Sequence, residues 1–160
     1  PCYQDRNWGK QFPDWWAWIV SNYFDHHAHT TLAIGGGKPT VKSLPAPTGG
    51  MFIGLKHKEQ EYSFRLNELN PVFANISMGK WKLLGLNATH MIKVDASAPR
   101  EQFMDLQFMT PQGNIFHDYE TLNGNVLVKL YKRVGWNYYL QERLFSNHAG
   151  IEYGSKNIYP

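Results

Sequence analysis

Apolar and polar residues alternate with a period of two along most of the chain, and a helical period is nearly absent. Tyr62, Phe64 and Leu66 alternate with Ser63, Arg65 and Asn67, and Met104, Leu106 and Phe108 alternate with Phe103, Asp105 and Gln107. Val126, Val128 and Leu130 share one face, while Leu127, Lys129, Tyr131 and Arg133 share the other. Such segments bury one face of an antiparallel sheet and wet the other. Turn signals separate them: Gly35-Gly36-Gly37, Gly49-Gly50, Asn70-Pro71, Met78-Gly79, Pro111-Gln112-Gly113, Asn123-Gly124 and Val134-Gly135. The pattern predicts strands near 15–24, 29–34, 51–57, 60–67, 80–86, 89–95, 102–109, 125–133, 136–145 and 148–153. Short strands at this spacing predict an all-β barrel or sandwich. The stretch 38–50, with Pro39, Pro45 and Pro47, reads as a long loop.

The first strand breaks the one-sided rule. Trp15, Ala17, Ile19 and Ser21 lie on one face, and Trp16, Trp18, Val20 and Asn22 on the other. A strand apolar on both faces is covered on both. One face belongs to the interior; the other needs a second layer, a partner or a ligand, and plain core packing is the simplest cover.

Composition narrows the classes. The 160 residues suit one domain, and 42% hydrophobic with 15% aromatic residues excludes disorder. The apolar runs are too short for a transmembrane helix. A single cysteine, Cys2, excludes an intramolecular disulfide framework and a cysteine-based zinc site. The net charge of +3 comes from scattered basic residues, so no nucleic-acid partner is expected. Pro1 stands first with no Met before it, which leaves a removed leader segment unassessed; a cytoplasmic setting is the default expectation.

Several motifs invite chemistry that their context does not support. Gly35-Gly36-Gly37-Lys38 lacks the glycine, the Ser or Thr and the following helix of a phosphate loop, and reads instead as a strand exit where backbones approach closely. Asp25-His26-His27-Ala28, with His29, reads as a hairpin turn before a metal cluster, and no metal is expected. His90, in phase with Ile92 and Val94, is a core histidine or a cavity residue. No nucleophile motif is present.

The N-terminal string is more telling. Asp5-Arg6-Asn7-Trp8-Gly9 is followed by Phe12-Pro13, Trp16-Ala17-Trp18, Asn22-Tyr23-Phe24 and the glycine triplet. Thr110-Pro111, Glu142, Ser146 and the closing Gly150-Ile151-Glu152-Tyr153-Gly154 complete an ordered set. That set resembles the C-terminal half of tocopherol cyclases, over positions 5–154. The resemblance implies a lipocalin-like (calycin) antiparallel β-barrel of about eight to ten strands, matching the all-β reading. It places one barrel domain at 1–154 and a tail at 155–160. It also implies an isoprenoid-quinol type of ligand and a cofactor-independent ring closure, in which an alkene is protonated and the phenol oxygen captures the cation. Family chains look about twice as long, so a second barrel half or another subunit is an expected partner.

Protonating an alkene needs a carboxylic acid kept neutral by desolvation, and a cation shielded by aromatic faces. Asp5 and Glu152 are the candidate acids; Asn7, Trp8, Trp16, Trp18, Asn22 and His90 are the candidate binding residues. Glu152 alternates with Ile151 and Tyr153, so it faces inward only if they face outward. Three functions remain open. A cyclase-like enzyme predicts an apolar cavity with one buried acid. A hydrophobic-ligand carrier predicts the cavity without the acid. A carbohydrate-binding or interaction module predicts a filled core and a row of exposed rings.

Overall fold

Strand β1 (Trp15–Ser21) sets the architecture because both its edges and both its faces are occupied. The computed structural model describes residues 13–38 and 50–156. In it, β1 pairs antiparallel with β2 (Thr31–Lys38) on one side and β10 (Asn137–Ser155) on the other. From β2 the sheet continues through β3 (Phe52–His57) to β4 (Gln60–Arg65). From β10 it continues through β9 (Ile115–Val134), β7 (His90–Ser97) and β6 (Lys80–Leu86) to β5 (Val72–Ser77). Strand β8 (Met104–Met109) pairs with the first part of β9, beside β7 on the same edge. The result is one ten-stranded, all-antiparallel sheet of lipocalin-like character. Apart from strands there are only two single 3-10 turns, Leu66–Glu68 and Arg100–Gln102, among the described residues. No helix there is long and apolar enough to cross a membrane.

The alternating apolar residues collect on the inner face of the curled sheet. Ala17, Ile19 and Ile151 meet Leu32, Ile34, Ile53 and Leu55 from one side and Ile92, Val94, Val126 and Val128 from the other. Strands β4 and β6 meet across a seam that carries side chains rather than a ladder. Phe64 lies against Gly85, where a Cβ would come within 2.9 Å of its ring, and the Tyr62 and His90 rings stand edge to face at 5.0 Å. Among the described residues the centre of the interior is packed. Ile19, Ile34, Phe64, Ile92, Leu130 and Leu144 are all 0% exposed, so no water-sized space borders them. The expected apolar cavity is therefore absent around these residues, and the cause is their bulk: branched and aromatic side chains fill the width of the tube.

Boundaries differ from expectation where local signals mislead. Asn123-Gly124 does not turn; it lies inside β9, where Gly124 admits the Ile151 side chain at 2.6 Å from where a Cβ would sit. The two strands expected at 136–145 and 148–153 are one, β10, interrupted by register shifts around Ser146 and Ala149. Strand β5 was not expected, since as an exposed edge it lacks a buried alternating face. The glycine triplet lies within β2.

Replacing Gly85 with Ala should lower stability by about 1–3 kcal/mol, because Phe64 and Ile92 must both move. Replacing Gly54 with Ala should be near neutral, since the nearest atom to its Cβ is 3.7 Å away. Thermal melts followed by circular dichroism compare the two; equal loss would mean that the β4–β6 seam is not a tight contact.

Candidate functional site

Cross-strand register places the chemistry on the outer face of β1. Trp18, Glu152 and Glu120 form one row across β1, β10 and β9, and Trp16, Gly154 and Asp118 form the next. Directly opposite residues share a face, so these side chains all project away from the core. Ile151 and Tyr153 project the other way; Ile151 is in the core and Tyr153 packs against it. Glu152 therefore faces outward.

Outward does not mean bare. The Trp16 indole leans across Gly154, where a Cβ would clash at 2.2 Å, and stacks on Phe116 with centroids 4.6 Å apart and planes 6° apart. Phe108 of β8 stacks on Phe116 in turn, at 5.5 Å. Trp18 leans the other way across Gly35 and meets Phe52 edge on at 5.6 Å. A second, smaller aromatic layer thus covers this face. It answers the question posed by the two-sided apolarity of β1, and the glycines of β2 and β10 make the close approach possible.

The carboxylates sit at the edge of that layer. Asp118, Glu120 and Glu152 are all half-buried, and each offers an oxygen within 4.8 Å of the others. The Trp16 Nε1–H donates to Glu152 Oε1. At 4–5 Å, two carboxylates repel by roughly 3–4 kcal/mol at an effective dielectric constant of about 20, so three full charges are not tolerated. Burial first, then the charges of Glu152 and Glu120, push Asp118 up to about 8. Asp118 Oδ1 is shut off from solvent with no hydrogen-bond partner among the described residues. As an acid, Asp118 supplies the donor that its two acceptor neighbours need. The same trio could hold a hard cation, but three carboxylates fall short of the six to eight oxygens such ions take, and the neighbouring rings add none.

A separate polar cluster closes one end of the interior. His57 is 3% exposed, its Nδ1 lies 2.8 Å from Thr30 Oγ1, and its Nε2 lies 3.5 Å from Glu142 Oε1. Lys58 Nζ is 2.6 Å from that same oxygen. Burial lowers the His57 pKa, which favours the neutral ring, and its buried Nε2 makes no hydrogen bond among the described residues. His90 stands nearby on the inner face, beside Tyr62, with Nδ1 2.8 Å from Thr89 Oγ1. Burial and the charge of Lys132 lower its pKa.

Of the residues singled out in the sequence, Trp16, Trp18 and Glu152 come together. Asn22 lies just past the end of β1, half-buried, beyond Trp18 along the strand. His90 lies on the opposite face of the sheet. Asp5, Asn7 and Trp8 fall outside the described residues. Asp118, Glu120 and Phe116 were not singled out; their signal was the alternation Phe116, Asp118, Glu120, one face of a strand that the sequence did not reveal.

The comparisons with known proteins bear on the family of the chain. A family model described as tocopherol cyclase-like matches residues 1–155. The chain is 29% identical over 99 residues to a protein of Zea mays named "Tocopherol cyclase, chloroplastic", and 28% identical over 99 residues to one of Oryza sativa subsp. japonica named "Probable tocopherol cyclase, chloroplastic". Each alignment covers 61% of this chain and 21% of the relative, so the chain spans only part of these plant proteins, which are nearer three times than twice its length. No solved structure matches.

A raised Asp118 pKa has a definite sign for stability. Between the ordinary value of 3.8 and about 8, the folded chain holds a proton that the unfolded chain has lost. That stabilisation is complete below the ordinary value and is lost as pH rises towards about 8. Asp118→Asn should flatten this fall and raise the melting temperature at the alkaline end, by about 1–3 kcal/mol in stability. Thermal melts across this pH range test it. An unchanged slope would remove the shared proton, and a magnesium- or calcium-induced rise in melting temperature that Asp118→Asn abolishes would assign the trio to a cation.

Proposed function

The chain belongs to the tocopherol cyclase-like family, and on that premise we propose that it binds an isoprenoid, quinol-type molecule against the outer face of β1 and closes a ring in it by proton transfer. The observation that carries the reading is the half-buried Asp118 carboxyl, its Oδ1 shut off from solvent and packed within 4.8 Å of two further carboxylates, beside the stacked Trp16 and Phe116 rings; burial and those neighbours favour its neutral form. A carrier needs apolar contacts but no such acid.

The chemistry is an isomerisation. Asp118 gives its proton to one carbon of a substituted alkene, and a tertiary cation develops on the other. The phenol oxygen of the same molecule bonds to that carbon and loses its proton to the carboxylate trio, restoring the starting state. Bonds and protons balance with no oxidant. The charges of Glu152 and Glu120 serve twice: they hold the proton on Asp118, and they stabilise the developing cation. The Trp16 π face favours the cation as well. Trp16 also fixes Glu152 by its indole hydrogen bond. What supports the outer face is that the carboxylates and the Trp16 ring project from the same side of β1, β10 and β9.

The test is conversion of a prenylated hydroquinone to its chromanol, followed by chromatography, with binding followed by tryptophan quenching. Asp118→Asn should cut turnover by about a hundredfold or more while leaving binding near normal. Glu152→Gln still accepts the Trp16 hydrogen bond but removes one charge, so the alkaline limb of the rate profile should move to lower pH. Binding without turnover in the unaltered protein would leave the carrier reading in its place, and full turnover by Asp118→Asn would remove this residue as the acid.

A further inference from the structure

The outer face carries a second feature, remote from the carboxylates. Lys93 of β7, Lys129 of β9 and Arg143 of β10 stand directly opposite one another in one row. Like charges so placed destabilise a sheet, and none of the three has an ion-pair partner among the described residues. The row towards the β9–β10 turn is apolar, with Met91, Tyr131 and Leu140; the row away from it sets Leu127 and Phe145 beside one carboxylate, Asp95, which leaves the cations in excess on this face. Lys93 Nζ lies 5.6 Å from the Tyr131 ring centre, and the Arg133 guanidinium lies 5.6 Å from that of Trp136.

The hairpin tip continues the pattern. Trp136, at the turn, is 91% exposed; Leu140, 56% exposed, and Tyr138 share the outer face with Tyr131 and Arg133, whereas Val134 and Tyr139 share the other face with Lys132. Arg133 and Lys132 stand at the base of the tip. A tip of exposed aromatic and aliphatic side chains on a cationic base has the composition of a membrane interface anchor, where indole and phenol rings sit at the headgroup level and lysine and arginine meet phosphate.

We infer that the outer face of β7, β9 and β10, with Trp136 at its tip, seats the protein on an anionic lipid bilayer. Charge complementarity selects the sign of the surface, and the exposed aliphatic Leu140 on the same face selects lipid over nucleic acid, since it offers no ring for a base to stack on. Stable attachment takes two weak signals together, here apolar insertion and a basic cluster. The inference stands on this patch alone and does not depend on the proton-transfer reading.

Co-sedimentation of the full chain with phosphatidylcholine vesicles, with and without phosphatidylglycerol, tests it. Binding should require phosphatidylglycerol and weaken with salt. The triple variant Lys93→Gln, Lys129→Gln, Arg143→Gln should bind about a hundredfold more weakly, at about 1 kcal/mol for each cation near the surface. Trp136→Ser should weaken binding about tenfold and leave the salt dependence intact. These side chains are exposed or lie outside the core, so circular dichroism should show the same fold in all variants. Binding that ignores phosphatidylglycerol, no binding to either vesicle, or salt-sensitive capture of single-stranded DNA that Trp136→Ser leaves unchanged would each overturn the inference.

Discussion

Two indoles lying flat across glycines hold the outer face of β1 in shape. Trp16 covers Gly154 and Trp18 covers Gly35, and in each case any Cβ would occupy the ring's place at about 2.2 Å. A tryptophan standing upright on a sheet shields only its own position. Laid across a neighbouring strand, it reaches a ring one strand further, as Trp16 reaches Phe116 and Trp18 reaches Phe52. The strand order β2, β1, β10 is thereby fixed from outside as well as from the core, and β9 and β3 are tied in. Within the core, the buried Ser21 and Ser146 hydroxyls, 2.8 Å apart, join β1 to β10 where the register of β10 slips.

That aromatic layer also creates the electrostatics beside it. Asp118 would be an ordinary carboxylate if water reached it. Burial and two neighbouring charges turn it into an acid that keeps its proton near neutrality. The two ends of the fold then titrate in opposite senses. Protonated Asp118 favours the folded state at low pH, whereas buried neutral His57 and His90 favour it at high pH, because folding holds their pKa values down. Each cluster stores its charge state through its packing. A packing change at either one therefore changes titration, and a titration change alters packing.

Much of the fold was legible because burial on one face imposes period two. Strands β1, β3, β4, β6 and β7 fall close to where alternation puts them. The failures share a cause: tertiary contacts outweighed local preference. Asn123-Gly124 has turn chemistry, yet Gly124 is needed for its approach to Ile151 and Ala149. Gly35 and Gly37 are poor strand formers, yet β2 needs them beside the tryptophans of β1. Strand β5 has no buried face to declare itself. The site followed the strands. Glu152, Trp16 and Trp18 were visible in a short motif, whereas Asp118 and Glu120 became partners only once the first half of β9 was known to be a strand.

The length of β9 and β10 keeps the two charged regions of the outer face apart. Lys129 and Glu120 are nine positions apart on the same strand, roughly 25–30 Å at about 3.3 Å per residue. That is about three screening lengths in physiological salt. The lysines and arginine therefore do not neutralise the carboxylates through solvent, and Asp118 is left to the repulsion of its immediate neighbours. Equally, the carboxylates do not cancel the cationic row, which stays available to an outside partner. Shorter strands would bring the two together, lowering the acid's pKa and quenching the positive patch at once. The long hairpin is thus an electrostatic spacer as well as the spine of the sheet.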